Sequence, residues 1–136
     1  MAINCSDEHI GKGNFRFSKQ PESLQIHQSE DDLQQECYTW FHNTYPQYRG
    51  LLCYNLSNSR NKIDGARNRN KGLQEGRADL VLYFDAKTYH IEMKTPTGVQ
   101  SKAQKEWQLL VESHGFSYYI RRDLESFQKL IRGIVG

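Results

Sequence analysis

Residues 78–94 constrain the fold more than any other stretch of this chain. Two runs, Ala78–Phe84 and Thr88–Lys94, alternate with period two and flank Asp85-Ala86-Lys87, a gap the size of a turn. That pattern predicts a β-hairpin. A two-residue loop at Asp85-Ala86 sets Asp79 opposite Glu92, Val81 opposite His90 and Tyr83 opposite Thr88. Successive strand side chains point to opposite faces. One face then carries Leu80, Leu82, Phe84, Tyr89, Ile91 and Met93, all apolar, and needs cover from other elements. The other carries Asp79, Val81, Tyr83, Thr88, His90, Glu92 and Lys94 and is expected to stay open. A one-residue slip would mix the two sets, so the register is strongly specified.

The open face gathers Asp79, Glu92 and Lys94 at one end. Carboxylates directly opposed on paired strands destabilise the sheet. They are tolerated when a cation lies between them or when they share a proton. Lys94 supplies one positive charge. A divalent ion would be a stronger partner, and hard oxygen ligands suit Mg²⁺ or Mn²⁺. His90 shares this face and reads as a partly buried structural histidine. A lone E-x-K is a weak signal; the combination with Asp79 across a turn is the specific one.

Elements that can cover the apolar face lie on both sides of the hairpin. Ser29 reads as an N-cap followed by Glu30, Asp31 and Asp32 at the positive end of a helix dipole, with Leu33, Cys37, Trp40 and Phe41 in one stripe. Leu51–Leu56 reads as a buried strand. A polar stretch from Ser57 to Arg77 follows, with a short helix near Ile63–Asn70. After Pro96 and Gly98, Ser101 and Gln104 form a capping box for a helix whose face is Ala103, Trp107, Leu110, Val111 and His114. Phe116–Ile120 is a further strand. Asp123 caps a last helix with an apolar face of Leu124, Phe127, Leu130, Ile131 and Ile134. The core order α-β-β-β-α-β-α describes an α/β fold, a mixed sheet of about four strands flanked by helices. At 136 residues the chain is one domain. Residues 1–28 lack a sustained period and read as an N-terminal arm, leaving 29–136 as the folded unit.

Composition excludes several classes. Hydrophobic residues are 37% of the chain, and mean hydropathy is −0.82. No apolar run approaches a membrane span, and the acidic opening segment is unlike a secretory signal. Cys5, Cys37 and Cys53 make no CxxC pair, which argues against a disulfide framework or a cysteine zinc site and fits a cytoplasmic location. HExxH, GxSxG and P-loop motifs are absent. The net charge is only +2. Basic groups nevertheless concentrate in Arg60, Lys62, Arg67, Arg69, Lys71 and Arg77, against Asp64 and Glu75. Such a cluster is either a solvated loop or a phosphate-contacting patch.

Gly76-Arg77-Ala78-Asp79-Leu80, Ile91-Glu92-Met93-Lys94-Thr95-Pro96-Thr97-Gly98, Ser101–Trp107 and Gly115-Phe116 together resemble the VRR-NUC domain, the virus-type replication-repair branch of the PD-(D/E)XK nuclease superfamily. The resemblance covers roughly residues 30–131 and implies a restriction-endonuclease-like core. It implies that Asp79 and Glu92 bind metal, with the Met93 carbonyl as a further ligand, and that Lys94 positions the attacking water. Gln104 matches the glutamine placed near that lysine, and Glu36 the first-helix acid that completes the metal shell. Asn55 and Asn58 are both candidates for the family's asparagine. Each assignment has a plainer rival. Glu36 could be an ordinary exposed glutamate, and Gln104 could simply close its capping box, since a glutamine is expected to do one job at a time. The Trp and Tyr residues read as core packing, although Tyr45, Tyr48 or Tyr54 could stack on an unpaired base.

The resemblance implies a Mg²⁺- or Mn²⁺-dependent DNA endonuclease, structure-selective and similar to Holliday-junction resolvases. It would act as a homodimer on branched or four-way DNA, with the basic cluster on the phosphate backbone and no membrane partner. The alternatives are a flap or nicking nuclease of a mobile element, a nuclease-derived DNA-binding module without catalysis, or an interaction protein in which the hairpin charges are incidental.

Overall fold

The computed structural model describes residues 28–55 and 62–136. The expected arm, up to residue 27, lies outside the described residues, as do Leu56, Asn58 and Arg60. Among the described residues the first element is α1 (Glu30–Thr44), where Ser29 Oγ accepts the N–H of Asp32 at 3.1 Å. β1 (Leu52–Tyr54) follows a short 3₁₀ turn, and α2 (Lys62–Asn70) carries much of the basic cluster. β2 (Leu80–Phe84) and β3 (Lys87–Met93) form the hairpin. Then come α3 (Lys102–Ser113), β4 (Ser117–Arg121) and α4 (Leu124–Val135), the last capped by Asp123 Oδ1 on Ser126 N–H at 2.7 Å.

The four strands lie in the order β1-β2-β3-β4. β1 pairs antiparallel with β2, β2 antiparallel with β3, and β3 parallel with β4. A parallel pair requires a crossover, and α3 provides it. The hairpin has the register its alternation predicts: Leu80 pairs with Ile91, Val81 with His90 and Tyr83 with Thr88. Its turn places Asp85 and Ala86 at φ 49° and 62°. Two consecutive left-handed residues give the type I′ turn whose twist matches paired strands.

The apolar hairpin face is covered as expected. Leu33, Cys37 and Phe41 of α1 and Phe127 and Ile131 of α4 pack on Leu80, Leu82, Ile91 and Met93. Tyr45 and Tyr48 join an aromatic chain with Trp40, Phe41 and Phe84, so they belong to packing. Three expectations are corrected. The second hairpin face is not open along its length: Glu92 and Lys94 are buried, with Gln104 of α3 and Tyr118 of β4 on Glu92, and only the turn end around Tyr83 is exposed. β1 is an edge strand rather than a buried one, and Tyr54 at its end is exposed. On α3, Leu110 and His114 are exposed, because the sheet-facing part of the stripe narrows to Ala103, Trp107 and Val111.

Candidate active site

Asp79 stands one residue before β2, opposite Glu92, the penultimate residue of β3. Its Oδ2 accepts the backbone N–H of Met93 at 2.8 Å. Within an extended strand the N–H and C=O of one residue point to the same neighbour, so the Met93 carbonyl also lies on the Asp79 side. Asp79 is steadied further from behind. Its own carbonyl accepts the N–H of Asn55 at 2.8 Å, and Asn55 Nδ2 donates to the Ala78 carbonyl at 3.1 Å.

Glu92 is fully buried. Gln104 Nε2 donates to its Oε1 at 2.8 Å, and Lys94 Nζ lies 3.4 Å from the same oxygen. Tyr118 OH faces Oε2 at 3.4 Å, and Gln100 Nε2 donates to that hydroxyl at 3.2 Å. Gln104 also closes the capping box: its Oε1 accepts the Ser101 N–H at 2.8 Å. The expected choice between capping and site is therefore not required. A side-chain amide has an acceptor end and a donor end, and here each end has its own task.

Burial, and next the charge of Asp79, push the Glu92 carboxyl up to about 8. Burial likewise raises Asp79, offset in part by its hydrogen bond from Met93. With Lys94 as its one neighbouring cation among the described residues and no divalent ion, the pair is thus shifted toward holding a shared proton, one of the two ways opposed carboxylates are tolerated. Burial, followed by the nearby Arg77 charge, lowers His90, which packs edge-on against Trp107 at 5.1 Å and stays structural.

The first-helix acid at this site is Glu30. Its Oε1 lies 3.4 Å from Lys94 Nζ, so the lysine bridges Glu30 and Glu92. Glu36 is not part of the group. Six residues further along α1, it is rotated about 240° around the helix axis. It is exposed, accepts a hydrogen bond from Gln28, and borders a separate cavity beside Trp40 and Leu124. Glu30 is the first helical residue after the N-cap, and as a sequence feature it counted only toward the helix dipole. Its position at the end of α1 was the available signal, because Lys94 also stands at an element end.

Three further contacts escape the motif. Arg122 Nη1 donates to the carbonyls of Thr95 at 2.7 Å and Gly98 at 2.8 Å, tying down the loop between Lys94 and α3. Gly76 has φ 78°, and a Cβ there would lie 2.3 Å from the Ala103 carbonyl oxygen. The chain before Asp79 thus presses directly on the first turn of α3, which carries Gln104. Arg77 donates to Asn55 Oδ1 at 2.7 Å and so serves inside the structure. Arg67, Arg69 and Lys71 are exposed, and Arg69 lies 3.6 Å from Glu75. Lys62 begins α2. Of the two asparagines, Asn55 sits at the site, while Asn58 is outside the described residues.

The group fits a divalent ion sparingly. Among the described residues no cluster of three His, Cys, Asp or Glu side chains forms a ready cage. Two opposed carboxylates and one adjacent carbonyl nevertheless match Mg²⁺, which keeps several waters and takes one or two carboxylates.

An α/β sheet with helices on both faces, and a carboxylate pair, a lysine and a glutamine gathered at one end, is the class this chain belongs to by architecture. A VRR_NUC domain protein of known structure matches it with a TM-score of 0.65 at 17% sequence identity, over 79% of this chain and 88% of that one. The fold is thus VRR-NUC-like. No family model and no curated protein matches the sequence.

Proposed function

We propose that this protein is a divalent-metal-dependent DNA endonuclease that acts on branched DNA, in the manner of a junction resolvase. The observation carrying this reading is the single group in which half-buried Asp79 and Gln104 meet buried Glu92 and Lys94, on a nuclease-like fold. Asp79, Glu92 and the Met93 carbonyl would hold Mg²⁺ or Mn²⁺, which when bound acidifies water and polarises a phosphate.

The protein's own groups do the rest. Lys94, with three N–H donors, orients the attacking water and offsets charge developing on the phosphate. Glu30 and Glu92 fix where that ammonium sits. Gln104 and Tyr118 hold the two Glu92 oxygens so that the carboxylate cannot rotate freely. In-line attack joins the water oxygen to phosphorus and breaks the bond to the 3′-oxygen; the water's proton passes to solvent and the departing oxygen takes one up, leaving 5′-phosphate and 3′-hydroxyl ends. Arg67, Arg69 and Lys71 contact the backbone without reading sequence. Two cuts on a four-way junction call for two sites related by a two-fold axis, hence a homodimer.

The test is incubation with labelled four-way junctions, flaps, single strands and duplex, in Mg²⁺, Mn²⁺ and EDTA. Metal-dependent cleavage of branched DNA by wild type, abolished in Asp79→Asn with junction binding retained, supports the reading. Junction binding without cleavage in any metal would leave a DNA-binding module instead. Neutralising Arg67, Arg69 and Lys71 together should reduce the salt dependence of duplex binding by about 0.9 in log–log slope per lost phosphate contact.

A further inference from the structure

Tyr45 and Tyr48 are taken up in packing and Tyr83 is exposed at the hairpin turn, away from the site; Tyr38 on α1, 40% exposed, and Tyr54 at the end of β1, 57% exposed, lie elsewhere. Both line a cavity of about 400 Å³, together with Asp31, Gln34, Gln35 and Leu80. One wall is a stripe of α1 and the other is β1, the outermost strand among the described residues. Three of these residues are chain neighbours of the candidate active site. Asp31 follows Glu30, Leu80 follows Asp79, and Tyr54 precedes Asn55, whose N–H holds the Asp79 carbonyl. The cavity therefore lies at the same end of the sheet as the carboxylate pair, but on the α1 face, because Leu80 and Asp79 point to opposite faces.

We infer that this cavity receives one unpaired nucleobase of the DNA substrate. The inference rests on the nuclease reading and names what the site selects. Tyrosine rings offer stacking surfaces that any base can use. The Gln34 and Gln35 amides offer donors and acceptors to a base edge. Asp31, with Glu30 and Asp32 beside it, makes this wall acidic. Phosphate is repelled there, so the group that enters is the base and not the backbone. A base within an intact duplex is stacked on its neighbours and cannot enter, so the pocket favours DNA with an unpaired nucleotide near the cut.

The experiment uses the full chain in EDTA, so that no cleavage intervenes. Oligonucleotides carry 2-aminopurine either at an unpaired position beside a branch or inside a plain duplex. Wild type should quench the unpaired fluorophore and leave the duplex one unchanged. Tyr38→Ala and Tyr54→Ala should each abolish the quenching and weaken binding of the unpaired-base DNA about tenfold, with duplex affinity intact. Tyr38→Phe and Tyr54→Phe, which keep the ring, should restore both. DNA binding with no change in 2-aminopurine, or equal losses on both DNAs, overturns the base pocket and leaves the nuclease reading standing. Failure of wild type to bind any DNA overturns both. A change of oligomeric state in the alanine variants, with quenching retained, would assign the cavity to a second copy of the chain and overturn the inference.

Discussion

At Glu92 a carboxyl is raised to about 8 because it is buried opposite another acid. The sign of its contribution to stability follows. A carboxyl whose folded value lies above the ordinary one binds its proton more tightly when folded. Its stabilisation is complete below about 4.5 and is lost as pH rises through about 8. His90 acts in the opposite sense below its ordinary value of 6.5, so the comparison must isolate Glu92. Metal-free wild type should lose stability relative to Glu92→Gln as pH rises from 4.5 to 8; urea unfolding in EDTA across that range measures it, and a flat difference would contradict the shared proton. The two first-helix acids give a second expectation. Glu30→Gln should lower cleavage roughly 10–100-fold, as loss of a group supporting the reacting residues does, whereas Glu36→Gln should leave it unchanged. Steady-state cleavage of one junction by both variants decides between them. Sequence spacing could place both acids on one helix, but only the docking of α1 on the sheet shows which end meets Lys94.

Two elements meet at Gly76, where the segment before β2 touches the first turn of α3. Its left-handed φ and the closeness of the Ala103 carbonyl both exclude a side chain. Gly76→Ala should therefore lower stability by roughly 2–4 kcal/mol, from overpacking and an unfavourable φ together. It should also displace Gln104. Ala86 sits at φ 62° with open solvent around it, and the type I′ turn favours glycine there. Ala86→Gly should stabilise the hairpin by about 1 kcal/mol. Thermal unfolding of the two variants should shift in opposite directions; a shift in the same direction would refute this account of the two backbone positions. The hairpin itself was legible from alternation alone, because strand period two and a two-residue gap leave one sensible register. The cover over its second face was not legible. It depends on α3 crossing back to place β4 parallel to β3, a long-range packing choice.

For the whole molecule, a metal that binds the folded site and not the unfolded chain must stabilise it. At a hundredfold excess over its dissociation constant the gain is about 2.7 kcal/mol, several degrees in Tm for a domain of this size. Asp79→Asn/Glu92→Gln should show none of this gain when ionic strength is held constant to separate screening from binding. An equal Mg²⁺ response in both proteins would place the ion elsewhere. Because burial opposite Asp79 raises the Glu92 carboxyl, the double variant should outlast wild type in EDTA chiefly at alkaline pH.

Local pattern alone sets the elements and the opposed pair of carboxylates. Apolar periodicity, caps at Ser29, Ser101 and Asp123, and the alternation around Asp85-Ala86 are local rules that tertiary contacts did not override here. Asp79, Glu92 and Lys94 come together because hairpin register is a local property. What only the tertiary structure decided lies across long separations. Glu30, not Glu36, meets Lys94; Tyr118 meets Glu92 and is held by Gln100; Arg122 ties the loop after Lys94; and Tyr38 and Tyr54 face one cavity. Each of these depends on where a helix or strand end docks. That docking is set by the summed burial of a shared core, and no single spacing along the chain encodes it.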